Sequence, residues 1–219
     1  MTSPRALLVP ALVLGAIAAL TVVGVSSTLR RPEVPTYTPT VPRPAEAGEA
    51  GEADEAEEAA AGPSGAVVYT VDASDPERWR FFDFSRGSVV EDPGELGWDL
   101  AFRRFVVAVN GGPGFAGKGG ALDLGKVAFE AVDRVPVEGY LPGPPGRDSA
   151  NPAFERWYDY GFTSHLLTPK ARVYAVRTAD GRYAKLELLS YYCPGPRPGC
   201  VTFRYVYQGA GGTGFVAGR

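Results

Sequence analysis

From Ala66 onward the chain is written in short runs of β-branched and aromatic residues, separated by clusters of Gly, Pro, Asn and Asp. Such runs predict strands: 66–71, 79–83, 98–109, 127–130, 173–178, 183–192 and 201–208. The last run is the clearest. Val201, Phe203, Tyr205 and Tyr207 share one face while Thr202 and Arg204 share the other, which is the period of a half-buried strand. Asp180-Gly181 falls between two of the runs and predicts a two-residue hairpin turn, because both residues tolerate positive φ. Three consecutive antiparallel strands at the carboxyl end follow, and helix is expected only briefly, near Ala153 to Tyr158. The fold class expected is all-β, mainly antiparallel.

The pattern upstream is different in kind. Residues 6–25 form one apolar run interrupted only by Pro10, Thr21 and two glycines, and at 1.5 Å per residue it is long enough for about 30 Å of hydrocarbon. A single transmembrane helix or signal anchor over residues 1–31 is the reading adopted, with cleavage after Val23-Gly24-Val25 as the alternative. Residues 32–65 are rich in Pro, then in Ala, Glu and Gly, with eight carboxylates against the single Arg43. So few large apolar side chains cannot offset the entropy of ordering, and a disordered linker is expected. The third part, 66–219, is the globular β-domain, long enough to bury a core without a metal staple.

Charge and chemistry narrow the function. Residues 66–219 carry 18 Lys and Arg against 17 Asp and Glu, no basic excess for a phosphate backbone, so nucleic acid is not expected as a partner. Gly112, Gly114 and Gly117 fit a dinucleotide fingerprint and 112–118 fit a phosphate loop, but Gly119 and Gly120 follow where a helix should open. A flexible glycine-rich loop is expected there instead. One histidine, His165, and no G-x-S-x-G elbow leave little for hydrolysis, and no enzymatic activity is expected. Cys193 and Cys200 bracket a Pro-Gly-rich stretch, with no further ligands for a metal and too wide a spacing for a redox pair. A disulfide is the reading, and such bonds persist outside the cytoplasm. It places the carboxyl domain on the outer side of a cell membrane. His165 lies in an aromatic stretch from Trp157 to Leu167, and imidazole is a ligand for haem iron.

Several blocks then agree in order and spacing: Trp98-Asp-Leu-Ala-Phe-Arg-Arg, Asn110-Gly-Gly, Trp157-Tyr-Asp-Tyr, Leu167-Thr-Pro-Lys, residues 173–186, Ser190-Tyr-Tyr and residues 201–208. Together they resemble the HmuY family. The resemblance implies a surface-exposed antiparallel β-protein that captures haem between two axial side chains and passes it to a membrane receptor. With one histidine, and with Met1 as the only methionine, it implies iron held by His165 on one side. A tyrosine, Tyr158 or Tyr160, stands on the other, or the sixth position stays open. The expected partners are haem or another small ligand, a membrane protein, and the membrane itself through residues 6–25. The competing reading is an interaction or structural domain of the same fold that has lost haem.

Overall fold

The computed structural model describes residues 34–40, 65–146 and 150–215, and among them the fold is all-β and antiparallel. The apolar run at 6–25 and most of the 32–65 linker lie outside the described residues. Among those described, no helix is long and apolar enough to cross a membrane.

Among the described residues, eleven strands form three sheets. The largest has the order β1-β11-β10-β9-β6, built from β1 (Val67–Asp72), β6 (Gly120–Gly125), β9 (Val173–Arg177), β10 (Tyr183–Cys193) and β11 (Arg197–Gln208). A four-stranded sheet has the order β3-β2-β4-β5, from β2 (Arg80–Asp83), β3 (Ser88–Val90), β4 (Leu100–Arg103) and β5 (Val106–Val109). A small hairpin pairs β7 (Tyr158–Tyr160) with β8 (Leu167–Pro169).

The two large sheets pack face to face because each presents an apolar side at period two. Phe82, Leu100, Phe102, Val107 and Val109 from one meet Val71, Val176, Leu186, Val201, Phe203 and Tyr205 from the other in a single buried cluster. Phe203 is the centre of it, stacked on Phe102 at 5.4 Å and edge-on to Phe82 at 5.1 Å between ring centroids. One acid crosses between the layers. Asp99 accepts hydrogen bonds from the backbone N–H of Phe84 at 2.9 Å and of Ala179 at 2.8 Å, tying the end of β2 to the β9–β10 turn.

Several sequence expectations change in detail. The run 98–109 is a hairpin rather than one strand: Arg103 pairs with Val106 across a two-residue turn in which Arg104 takes φ +53°. No Asn or Gly marks that turn. Arg104 is held there by hydrogen bonds from its guanidinium to the carbonyls of Ser74 and Pro198. The run 127–130 is not a strand but leads into a 3-10 turn, Phe129–Ala131. Strand β11 is also buried on both faces, not one, because Phe129, Val132 and Phe215 cover Val206 on its outer side. Lys185 fastens that cover by donating to the carbonyls of Phe129 and Val132, both at 2.9 Å. The short helix expected at 153–158 is a 3-10 turn over Pro152–Phe154.

At the β9–β10 turn only Gly181 takes positive φ, +93°, while Thr178 N–H bonds to the Arg182 carbonyl. Ala179-Asp180-Gly181 is therefore a three-residue loop closed by a left-handed glycine, not the two-residue turn predicted.

Cys193 and Cys200 form a disulfide between the end of β10 and the start of β11, as the spacing suggested. The ring closes only a short loop, so replacing both cysteines with serine is expected to lower stability by about 2 kcal/mol. Urea unfolding of the oxidised protein and the double variant checks this; an equal midpoint for both refutes it.

Residues 34–40 run without regular structure, and Thr40 meets the outer edge of β1: its N–H bonds to the Val68 carbonyl at 2.9 Å, and its hydroxyl accepts from Val68 N–H at 2.7 Å.

Candidate functional site

His165 stands in the loop at the tip of the β7–β8 hairpin. Tyr160 and Leu167 form the last strand pair, Gly161 N–H bonds to the Leu166 carbonyl, and His165 N–H returns to the Gly161 carbonyl at 2.7 Å. His165 takes φ +56°, a left-handed conformation uncommon for a side chain with a Cβ. Its consequence is geometric: the imidazole comes back over the strand, where Nδ1 lies 2.6 Å from the Tyr160 hydroxyl. Phe162 projects from the same loop with 85% of its surface exposed and stands edge-on to Tyr160 at 5.5 Å.

This places the three expected site residues differently. Tyr160 is brought to His165, but on the imidazole's own Nδ1. A metal held between two facing ligands would set them about 4 Å apart, twice a usual metal–nitrogen bond, so at 2.6 Å the phenol orients the ring rather than opposing it. Tyr158 lies half-buried at the base of the hairpin, against Phe105 at 5.6 Å and Trp157 at 5.2 Å. The hairpin is fastened to the large sheet by Tyr192, whose hydroxyl accepts from Leu167 N–H at 2.8 Å.

A second feature was not anticipated from the sequence. On the outer face of the four-stranded sheet, Phe81, Ala101 and Ala108 stand side by side across β2, β4 and β5. The two alanines leave a shallow floor, and Trp79, Phe81, Trp98 and Phe115 rise around it to enclose a groove of about 550 Å³. Glu91, Asp92 and Glu95 stand along its side. The signal lay in the outward positions of β4 and β5, small apolar residues where a solvated sheet face would carry polar ones. Asn110, fully buried, holds the groove's frame by donating to the carbonyls of Glu95 and Trp98, both at 2.9 Å.

The glycine-rich segment that follows is ordered. Gly119 N–H bonds to the Asn110 carbonyl and Lys118 N–H to the Ala179 carbonyl, both at 2.8 Å. Gly111 packs so closely on the Gly119 backbone that any Cβ would collide with it. Gly111, Gly117 and Gly119 thus serve close approach of backbone to backbone.

Among the described residues, one group of potential metal ligands comes together: Asp72 with Cys193 and Cys200. The two sulfurs are joined to each other, so no thiolate is left for a metal.

The family model for "HmuY protein" matches residues 75–205. The chain belongs to the HmuY family. Solved structures share the HmuY fold at low identity. A Bacteroides vulgatus chain described as a HmuY-like candidate haem-binding protein is 23% identical, with TM-score 0.51, covering 65% of this chain and 92% of its own. A candidate lipoprotein of Bacteroides fragilis is 21% identical, with TM-score 0.52, covering 65% and 89%. The apo HmuY analogue of Tannerella forsythia is 18% identical, with TM-score 0.54, covering 71% and 99%. No curated protein matches the chain. At these identities the HmuY neighbours speak to the fold, and the chemistry of the site has to be argued from its own residues.

Proposed function

We propose that the protein is a haem-binding carrier, held outside the cytoplasmic membrane by residues 6–25, with His165 as the iron ligand. The observation that carries this is the 2.6 Å contact between Tyr160 Oη and His165 Nδ1. A histidine that ligates a metal through Nε2 usually donates its other N–H to an oxygen, which fixes tautomer and ring orientation. Tyr160 supplies that oxygen. Bound haem would contribute an iron that takes a neutral imidazole nitrogen, and the residues present fit one face of it. His165 would hold the metal, Tyr160 would keep the ring in place, and the exposed Phe162 ring would cover part of the macrocycle. Tyr158 lines the base of the same hairpin. The disulfide supports an oxidising location for the domain.

Haemin titration of the full-length protein, read at the Soret band, tests this directly. The wild type is expected to show a saturable shift that His165→Ala abolishes. Tyr160→Phe is expected to bind about tenfold more weakly, the usual cost of losing a ligand's outer partner. A wild type without a shift, or a His165→Ala variant that binds equally well, overturns the proposal. A second reading, docking of another protein on the hairpin tip, draws on the 85% exposure of Phe162 and predicts no Soret shift at all.

A further inference from the structure

We propose that the groove on the outer face of the four-stranded sheet binds a quaternary or N-methylated ammonium group. It shares no residue with the hairpin and does not depend on the haem reading.

The rings are arranged as walls. Phe81 and Trp98 meet at 5.1 Å and 62°, and Trp98 and Phe115 at 5.6 Å and 77°. Flat platforms for stacking would lie nearly parallel, whereas these rings stand at steep angles to one another and line the groove from more than one side. The floor of that space is Ala101 and Ala108, small enough to leave it open. The outer position on β4 two residues beyond Ala101 is Arg103, whose guanidinium already lies 4.5 Å from the centre of the Trp79 ring. A cation on an aromatic face is thus an interaction this side of the sheet makes within the chain itself.

The charge of the surroundings selects the sign of the ligand. Glu91, Asp92 and Glu95 line the groove, and Glu91 is paired with Arg80 at 2.8 Å. Among the described residues, Asp92 and Glu95 have no side-chain partner, so even with Arg80 and Arg103 nearby the three carboxylates leave a local excess of negative charge beside the rings. A purely apolar ligand would gain nothing from those carboxylates, and an anion would be repelled by them. An ammonium bearing methyl groups satisfies both features, since it is weakly hydrated, spreads its charge over an apolar surface and is drawn to ring faces. The groove's volume of about 550 Å³ is ample for such a headgroup and falls within the range of ordinary small-molecule sites, roughly 300–1,000 Å³.

The test is binding of choline and of tetramethylammonium to the full-length protein, followed by tryptophan fluorescence, with 3,3-dimethylbutan-1-ol as the uncharged choline isostere. Choline is expected to bind saturably in the millimolar range, the alcohol at least about fivefold more weakly, and added salt to weaken choline binding. Phe115→Ala removes one wall and Glu95→Gln removes one charge without changing shape; each is expected to weaken choline about fivefold or more. Ala108→Leu fills the floor and is expected to abolish it. His165→Ala should bind choline as the wild type does, so failure of the haem reading leaves this result standing. Absence of a saturable response to either cation overturns the proposal. So does equal binding of the uncharged isostere, or full binding by Glu95→Gln; circular dichroism confirms that each variant is folded before it is scored.

Discussion

Asp99→Asn is expected to flatten the pH dependence of stability between about pH 4 and 7. Asp99 is only 6% exposed, and burial pushes its carboxyl up from the ordinary value of 3.8 to about 7, with Asp83 and Asp180 pushing the same way. The N–H groups of Phe84 and Ala179 pull in the opposite direction without overcoming it. A carboxyl whose pKa is higher in the folded protein binds its proton more tightly there. Its contribution to stability is complete below pH 3.8 and is lost as pH rises through about 7. Three pH units correspond to at most about 4 kcal/mol. The variant cannot titrate, and its amide NH2 would face one of the two backbone N–H donors, which costs about 1–3 kcal/mol. Urea unfolding at a series of pH values should therefore show the wild type losing stability relative to Asp99→Asn on going from acid to neutral pH. Two parallel profiles would mean that Asp99 titrates normally in the fold.

Phe203→Ala is expected to cost about 3–5 kcal/mol, the largest loss for a single core truncation here. The ring is fully buried and touches Phe82 and Phe102 from the opposite sheet, with Tyr69 and Tyr205 beside it. Those neighbours belong to β1, β2, β4 and β11, so no single strand can move in to fill the space. Phe203→Leu, which keeps most of the volume, should cost clearly less. If thermal unfolding puts the two variants together, the site relaxes more freely than four fixed rings allow.

The carboxyl-terminal strands were legible because β9, β10 and β11 carry their own turn signals and a strong period-two pattern, and the antiparallel fold class followed. The split of 98–109 was not legible, since its turn is made by Arg104 and Phe105, ordinary residues whose geometry is enforced from Ser74 and Pro198. Strands β3, β7 and β8, three residues each, are too short to show any period. The period of Val201 to Tyr207 suggested one wet face, but burial of that face depends on Phe129, far away along the chain, and on Phe215, which the chain brings back after β11 ends. At the candidate site, the sequence offered His165 and Tyr160 as separate residues of one aromatic stretch. Their contact depends on a left-handed backbone at His165, which no local signal announces. The groove was hidden for a related reason: its rings come from β2, from the segment before β4 and from the glycine-rich loop, and only the sheet brings them side by side.

The tip of the hairpin stands clear of the sandwich, although its strands do not. Its loop from Gly161 to Leu166 contributes no side chain to the buried core, whereas Tyr158 and Leu167 of its strands pack against that core and the Tyr192 phenol holds Leu167 where the loop ends. Under the proposed haem reading, substitutions among those six positions would alter what the tip contacts with little cost to the core, so selection could retune the ligand over generations without first having to rescue the scaffold.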